Sequence, residues 1–161
     1  MARFPKIDFT KLAISLIICQ LAGVIGSIVT IGAISDWYST LNKPAFAPPN
    51  WLFGPVWITL YLLMGISLYL IWNKGLDDRA VKIGIALFAV QLALNAIWSP
   101  VFFGLHALQL SFNVILAMWF FIFLTIVRFY SISKPAAYLL IPYISWVSIA
   151  AVLNYAIMIL N

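Results

Sequence analysis

Amide and aromatic residues recur at helical spacing in three apolar parts of the chain. Indole and phenol faces stack on planar apolar molecules, and a few amides fix their orientation. The three stripes are Trp57, Tyr61, Met64 and Leu68; Gln91, Asn95, Trp98 and Phe102; and Tyr143, Trp146, Ala150 and Asn154. Spacings of three and four residues place each set on one helix face. The stripes predict a flat-sided cavity for a large planar ligand, although each amide alone could simply join two helices.

The sequence contains no pattern typical of hydrolytic, phosphoryl-transfer or metal chemistry. It has no Ser-His-Asp arrangement, no glycine-rich phosphate loop and no metal-spaced cluster. Asp77 and Asp78 precede the third apolar run, where we expect a helix N-cap instead of paired catalytic acids. We interpret His106 as a solvated loop residue in preference to a haem ligand. Cys19, the single cysteine, is interpreted as a packing residue.

The composition is that of a membrane protein. The chain is 65% hydrophobic and 8% charged, with a mean hydropathy of +1.09, whereas soluble domains carry about 25% charged residues. Five uncharged runs are long enough to cross a bilayer as helices, which takes about 20 residues. They are residues 12–34, 51–72, 83–103, 107–127 and 136–160. We therefore predict an all-α polytopic membrane protein, one domain over residues 1–161 that forms a five-transmembrane-helix bundle.

The basic residues flank these runs, which explains the isoelectric point near 9.5 without a nucleic-acid partner. With five spans, one side carries eight of the nine Lys and Arg residues, and Lys43 alone falls on the other. The eight are Arg3, Lys6, Lys11, Lys74, Arg79, Lys82, Arg128 and Lys134. The positive-inside rule then predicts a cytoplasmic N-terminus and an outside C-terminus. The first run imitates a signal peptide but is too long for one, and we expect it to be retained.

A Pro/Trp-rich connection, residues 35–50, joins the first two runs. Proline fixes φ, removes a donor and pushes the preceding residue into extended geometry, so Pro44, Pro48 and Pro49 predict a stiff, non-helical segment. One interpretation is a rigid turn within an interfacial aromatic belt that includes Trp37 and Trp51. The other is an ordered lid over a cavity between helices.

The order of motifs resembles that of the translocator protein family, also called tryptophan-rich sensory proteins or peripheral benzodiazepine receptors. The resemblance rests on motifs in the connection and on three helices, and it covers essentially everything after about residue 35, with all five helices in register. The motifs are Trp37-Tyr38, Lys43-Pro44, Pro48-Pro49, Gly54-Pro55 and Trp57, then LYLLMGISLYLIW at 60–72, NAIWSPVFFG at 95–104 and LLIPYISW at 139–146. The chain looks like a bacterial- or archaeal-type member.

The resemblance implies an integral membrane protein that binds porphyrins or other tetrapyrroles and related planar ligands, in tetrapyrrole sensing or transport. It implies no resident cofactor, the porphyrin being ligand or substrate. By family analogy, the ligand contacts are Tyr38, Pro48, Trp57, Tyr61, Asn95, Trp98, Trp146 and Ala150. One alternative is a light-dependent porphyrin-degrading enzyme with Trp57 and Trp146 as redox-active indoles. Another is a small-solute carrier; the lack of intramembrane carboxylates and internal repeats argues against an ion-coupled one.

Two partner expectations follow. The family's sterol pattern would need a basic residue after Tyr155, and none follows before Asn161, so sterol is not favoured as the ligand. Small residues at a four-residue spacing allow close helix approach, and they occur as Ala22 with Gly26 and as Ala89 with Ala93. We expect one pair to pack inside the bundle and the other to form a homodimer contact.

Overall fold

The computed structural model describes residues 7–161, which form seven α-helices and no strand. The helices are α1 (Phe9–Ser35), α2 (Trp37–Thr40), α3 (Asn50–Trp72), α4 (Arg79–Ser99), α5 (Leu108–Ile132), α6 (Lys134–Tyr138) and α7 (Ile141–Leu160). A π-helical turn, Pro100–Gly104, continues α4. Five spans are long and apolar enough to cross a membrane: α1, α3, α4 with its π-turn, α5, and α6 with α7. The predicted all-α, five-span architecture is confirmed.

Aspartates begin two of the spans. The Asp78 carboxylate accepts a hydrogen bond from the backbone N–H of Ala80 at 2.7 Å, so the N-cap expected before the third span is present. Asp8 caps α1 in the same way, accepting from the Lys11 N–H at 3.1 Å. Each carboxylate satisfies a backbone donor that the first helical turn leaves free.

Apart from helix ends that shift by a few residues, two features of the helices differ from the prediction. The connection 35–50 contains the short helix α2. Lys43 Nζ donates hydrogen bonds to backbone carbonyls at the end of this helix, with a distance of 2.8 Å to the carbonyl oxygen of Tyr38. The fifth span, predicted as one helix, divides between Tyr138 and Ile141. Pro142 explains the break, because it has no N–H to donate to the carbonyl four residues earlier and instead occupies the first turn of α7.

Helix α1 crosses α3 closely at Gly65. A Cβ added at Gly65 would come within 2.9 Å of the Leu16 Cα, so only glycine permits this crossing. Around the bundle, α1 also packs on α4, α4 on α5, and α5 on α7. Gly26 faces Ser99 of α4, so the Ala22–Gly26 pair serves packing inside the bundle. Ala89 and Ala93 are exposed on α4, and the homodimer stays a prediction.

The basic residues gather at one end of the bundle. At this end Asp8 N–H donates to the Tyr69 hydroxyl at 3.3 Å, and Arg128 Nε donates to the Ala80 carbonyl at 3.3 Å. The opposite end holds the 35–50 connection, where Asn42 N–H donates to Asn161 Oδ1 at 2.9 Å. Of the eight clustered basic residues, Arg3 and Lys6 lie outside the described residues.

Candidate ligand cavity

A cavity of about 400 Å³ lies between α1, α3 and α4, in the half of the bundle next to the 35–50 connection. This volume is within the range of roughly 300–1,000 Å³ usual for small-molecule sites. Its walls combine aromatic, amide and hydroxyl side chains with glycines, and they include Gln20, Gly23, Ser27, Thr30, Phe53, Trp57, Tyr61, Asn95, Trp98 and Ser99. A planar apolar molecule held by a few polar contacts would suit these walls.

A second cavity, of only about 20 Å³, adjoins the first. Four residues line both cavities: Ile34, Phe53, Trp98 and Phe103. The smaller one is otherwise bounded by residues of α2, the π-helical turn and α7, among them Tyr38, Phe102 and Ala150. At this size it holds no more than about one water molecule, so the larger cavity is the candidate ligand site.

A buried chain of hydrogen bonds runs from the cavity wall into the bundle. The Tyr61 hydroxyl donates to Asn95 Oδ1 at 2.5 Å, and Asn95 Nδ2 donates to the Tyr143 hydroxyl at 3.0 Å. The Tyr143 hydroxyl in turn donates to Gln91 Oε1 at 2.8 Å, and Gln91 Nε2 has no protein partner. Because lipid offers no alternative partner, these bonds hold α3, α4 and α7 in register and fix the Tyr61 ring.

The third buried amide secures the indole of Trp98. Trp98 Nε1 donates to Asn154 Oδ1 at 3.2 Å, and Asn154 Nδ2 donates to the Leu108 carbonyl at 3.2 Å. The indole also stacks on Phe102, with ring centroids 5.2 Å apart and planes at 24°. The sequence prediction that Gln91, Asn95 and Asn154 turn inward is confirmed, since all three are buried.

Trp57 presents an aromatic surface to the cavity. Its indole stacks on Tyr61 at 5.5 Å and 27°, and its edge meets Tyr143 at 6.3 Å and 67°. On the opposite wall, Gly23 of α1 faces the Tyr61 ring so closely that an added Cβ would overlap the ring atoms Cε2 and Cδ2. The absence of a side chain at Gly23 therefore gives the Tyr61 phenol its place in the wall.

The residues that family analogy assigned to the ligand do not all meet in one place. Trp57, Tyr61, Asn95 and Trp98 line the larger cavity, and Tyr38 and Ala150 line the smaller one. Pro48 and Trp146 line neither cavity.

Of the two indoles predicted to face one shared cavity, Trp57 lines the larger cavity and Trp146 lines neither, so a shared contact with a ligand stays a prediction. Trp146 packs edge-on against Phe53, with centroids 5.9 Å apart and planes at 71°. Phe53 itself lines both cavities, so Trp146 contacts a residue of the wall. Spacing along α7 could not show that the Trp146 indole packs against Phe53 of α3.

The connection 35–50 and the start of α3 combine features of both interpretations of this region. Trp51 is 72% exposed, as expected for an interfacial belt. Tyr38 is buried, and its hydroxyl has no protein partner. Burial raises the pKa of the Tyr38 phenol, and Lys43 Nζ lies 4.9 Å from the centre of its ring. In the connection that precedes α5, His106 is exposed and stacks on Trp37, with ring centroids 4.1 Å apart.

Sequence reasoning missed the contribution of α1. Polar and small residues of this helix line the cavity, among them Gln20, Gly23, Ser27 and Thr30. They follow one another at spacings of three, four and three residues, which is again a single helix face. This spacing was present in the sequence, but the set contains no aromatic residue and so did not resemble the three aromatic stripes.

None of the side chains that line the cavity is charged. No group of His, Cys, Asp or Glu within residues 7–161 is arranged to hold a metal ion. The chemistry that the lining can perform is stacking, apolar contact and neutral hydrogen bonding.

Comparisons with known proteins agree with this architecture. The model of the TspO/MBR family matches residues 15–160. A tryptophan-rich protein TspO of Chlorobaculum tepidum is 43% identical over 150 residues, covering 93% of this chain and 95% of that protein. Protein CrtK of Rhodobacter capsulatus is 38% identical over 154 residues, covering 96% and 94%. The translocator protein of Bos taurus is 37% identical over 153 residues, covering 94% and 86%. This chain therefore belongs to the TspO/MBR family.

Proposed function

We propose that this integral membrane protein binds porphyrins or related planar tetrapyrroles in the cavity between α1, α3 and α4, and acts in tetrapyrrole sensing or transport. The observation that carries the proposal is the stacked pair of Trp57 and Tyr61 in the wall of a cavity of about 400 Å³. Aromatic faces of this kind favour offset stacking with another flat π-system. The fixed Tyr61–Asn95 bond reduces the rearrangement that binding would require.

A titration of the purified protein with protoporphyrin IX tests the proposal. In darkness, the proposal expects saturable quenching of tryptophan fluorescence with one porphyrin bound per chain. Binding that never saturates, or that persists unchanged when the Trp57→Phe and Tyr61→Ala changes are combined, would refute it. Subsequent illumination separates binding from turnover. An enzyme would degrade the porphyrin, so its absorbance would fall faster than in a sample without protein. A sensor or carrier would cause no loss of absorbance beyond the bleaching seen without protein.

We also propose that the end of the bundle with the clustered basic residues faces the cytoplasm. The support is the segregation of Lys11, Lys74, Lys82 and Arg128 from Lys43, which lies at the opposite end. Basic residues next to membrane spans are retained on the cytoplasmic side during insertion. The 35–50 connection and the cavity beside it would then lie in the outer half of the membrane.

A further inference from the structure

We propose that the cavity accepts only the uncharged edge of a tetrapyrrole, and that the ligand's ionised groups stay at the Asn50 end, outside the cavity. This inference rests on the proposed function and adds to it the orientation and the class of tetrapyrrole. The support comes from how the polar atoms of the lining are already used.

Most hydrogen-bond donors in the lining are committed to protein acceptors. Ser27 Oγ donates to the Val24 carbonyl at 2.8 Å, and Thr30 Oγ1 donates to the Gly26 carbonyl at 2.8 Å. Gln20 Nε2 donates across to the Ile58 carbonyl of α3 at 3.3 Å.

Three aromatic and amide donors on α3 and α4 are committed as well. Tyr61 donates to Asn95, Asn95 donates to Tyr143, and Trp98 donates to Asn154. What these groups leave for a ligand is chiefly oxygen lone pairs. A carboxylate has only lone pairs of its own, so it would face acceptors with no cation in the lining to compensate.

Three donors in the lining have no protein partner: Trp57 Nε1, the Ser99 hydroxyl and the Asn50 amide. Trp57 Nε1 supplies one neutral N–H, which does not compensate the charge of a carboxylate. The Ser99 hydroxyl is on the inner wall and supplies a single donor. Asn50 is the first residue of α3, and its exposed amide stands at the end of the cavity next to the 35–50 connection. The Asn50 end is therefore the place where hydrogen-bond donors and water can both reach a charged group.

The side of the cavity between α1 and α3 does not suit charge. Between α1 and α3 the lining includes Val24, Ile31 and Ile58, which are 52%, 74% and 63% exposed. These side chains lie on membrane spans, where exposed surface meets lipid hydrocarbon. A carboxylate that pointed through this gap would be desolvated without a partner. The polar Asn50 end and the apolar side between α1 and α3 together orient the ligand, with its charged edge toward Asn50 and its neutral edge toward Tyr61.

The orientation selects tetrapyrroles whose acidic groups lie on one edge of the macrocycle. A ring with acidic groups on every side cannot insert without carrying at least one carboxylate past the acceptors of α1 and Tyr61. Esterification of a ligand with both acids on one edge should change its affinity little, because those groups do not enter the cavity.

Three ligands test this inference with the unmodified protein in lipid nanodiscs: protoporphyrin IX, its dimethyl ester, and coproporphyrin I, which carries propionates around the whole ring. Each dissociation constant is corrected for partition into empty nanodiscs. We expect the diacid and its ester to agree within about three-fold and coproporphyrin I to bind at least about ten-fold more weakly. Equal binding of coproporphyrin I, or an ester weakened by more than about ten-fold, would overturn the inference.

A variant adds a second arm. Ser27→Lys places a cation in the lining. It should bring the dissociation constant of coproporphyrin I closer to that of the dimethyl ester. Ser35→Lys, which lies outside the lining, should leave the ratio of these two constants unchanged. An unchanged ligand ranking in folded Ser27→Lys protein contradicts the inference, and a variant that fails to fold leaves the three-ligand ranking to decide. If none of the three ligands shows saturable binding, the proposed function fails first; saturable binding with the wrong ranking refutes only the orientation.

Discussion

The Tyr61 hydroxyl donates to Asn95 Oδ1 at 2.5 Å and thereby ties α3 to α4 in the wall of the cavity. Both residues also line the cavity, so one bond serves the packing of the bundle and the shape of the candidate site. A change at either residue should therefore affect stability and ligand affinity together, whereas a change at a lipid-facing residue should affect neither.

Tyr61→Phe tests this dual role. It removes the donor to Asn95 and leaves a buried amide oxygen short of a partner, which costs on the order of 1–3 kcal/mol in proteins generally and about 0.6 kcal/mol on average for hydrogen bonds between membrane helices. We expect a lower midpoint of thermal unfolding in detergent and weaker porphyrin binding. Tyr155→Phe is the matched control, because Tyr155 is an exposed phenol on α7. Equal midpoints for both variants would show that the Tyr61 bond contributes no stability.

Trp57→Phe and Trp146→Phe should have different effects on binding. Trp57 lines the cavity and Trp146 does not, although both are aromatic neighbours of the α3–α7 contact. Loss of stacking surface at Trp57 should weaken protoporphyrin IX binding about three- to ten-fold, the equivalent of one aromatic pair. Trp146→Phe should change the dissociation constant less than about two-fold, within the additivity error of distant sites.

The control for both variants is Trp119→Phe. Trp119 lines neither cavity, and its indole donates to Ser148 between α5 and α7. Fluorescence titration in darkness gives the three constants. If Trp57→Phe and Trp146→Phe weakened porphyrin binding equally, the ligand would also depend on Trp146, and the assignment of the cavity as the ligand site would need revision.

Gly23→Ala should close part of the cavity. The added methyl group would overlap the Tyr61 ring, so either the phenol or α1 must move. Because alanine favours helix over glycine by about 1 kcal/mol, helix formation itself should not suffer. We expect a loss of porphyrin affinity of at least about ten-fold, the equivalent of 1.4 kcal/mol. Gly32→Ala on the same helix is the control, since nothing lies within 4 Å of its added methyl group. The same affinity in both variants would exclude Gly23 from the ligand wall.

The sequence was sufficient for the spans and for the inward direction of the amides. Both follow from local rules: uncharged runs of bilayer length become helices, and Gln91, Asn95 and Asn154 avoid lipid. The sequence could not show which aromatic residues pack against one another, as Phe53 and Trp146 do. It also gave no weight to Gly23, because a missing side chain becomes informative only once the Tyr61 ring opposite it is known.

The proline pair tests whether the 35–50 connection acts as a lid. Pro48 and Pro49 restrict the connection before α3, and Pro49 is the N-cap residue of that helix. Replacing both by glycine widens the conformations of the unbound loop. We expect the porphyrin dissociation rate to rise more than the association rate falls. Stopped-flow fluorescence measures both rates. An unchanged dissociation rate would identify the connection as an interfacial belt alone.

The orientation prediction uses single cysteines at the two ends of the bundle in a Cys19→Ala background. Ser39, in α2, and Asn73, just after α3, are both exposed and lie at opposite ends of the α3 span. If the clustered basic residues face the cytoplasm, Ser39→Cys should react with a membrane-impermeant thiol reagent added to intact cells. Asn73→Cys should react only after the membrane is opened. Cys19 itself is fully buried, so the background change removes a residual signal without altering an exposed surface. The reverse labelling pattern would place the Asn50 end of the cavity on the cytoplasmic side, and a porphyrin made inside the cell would then reach that end without first crossing the membrane.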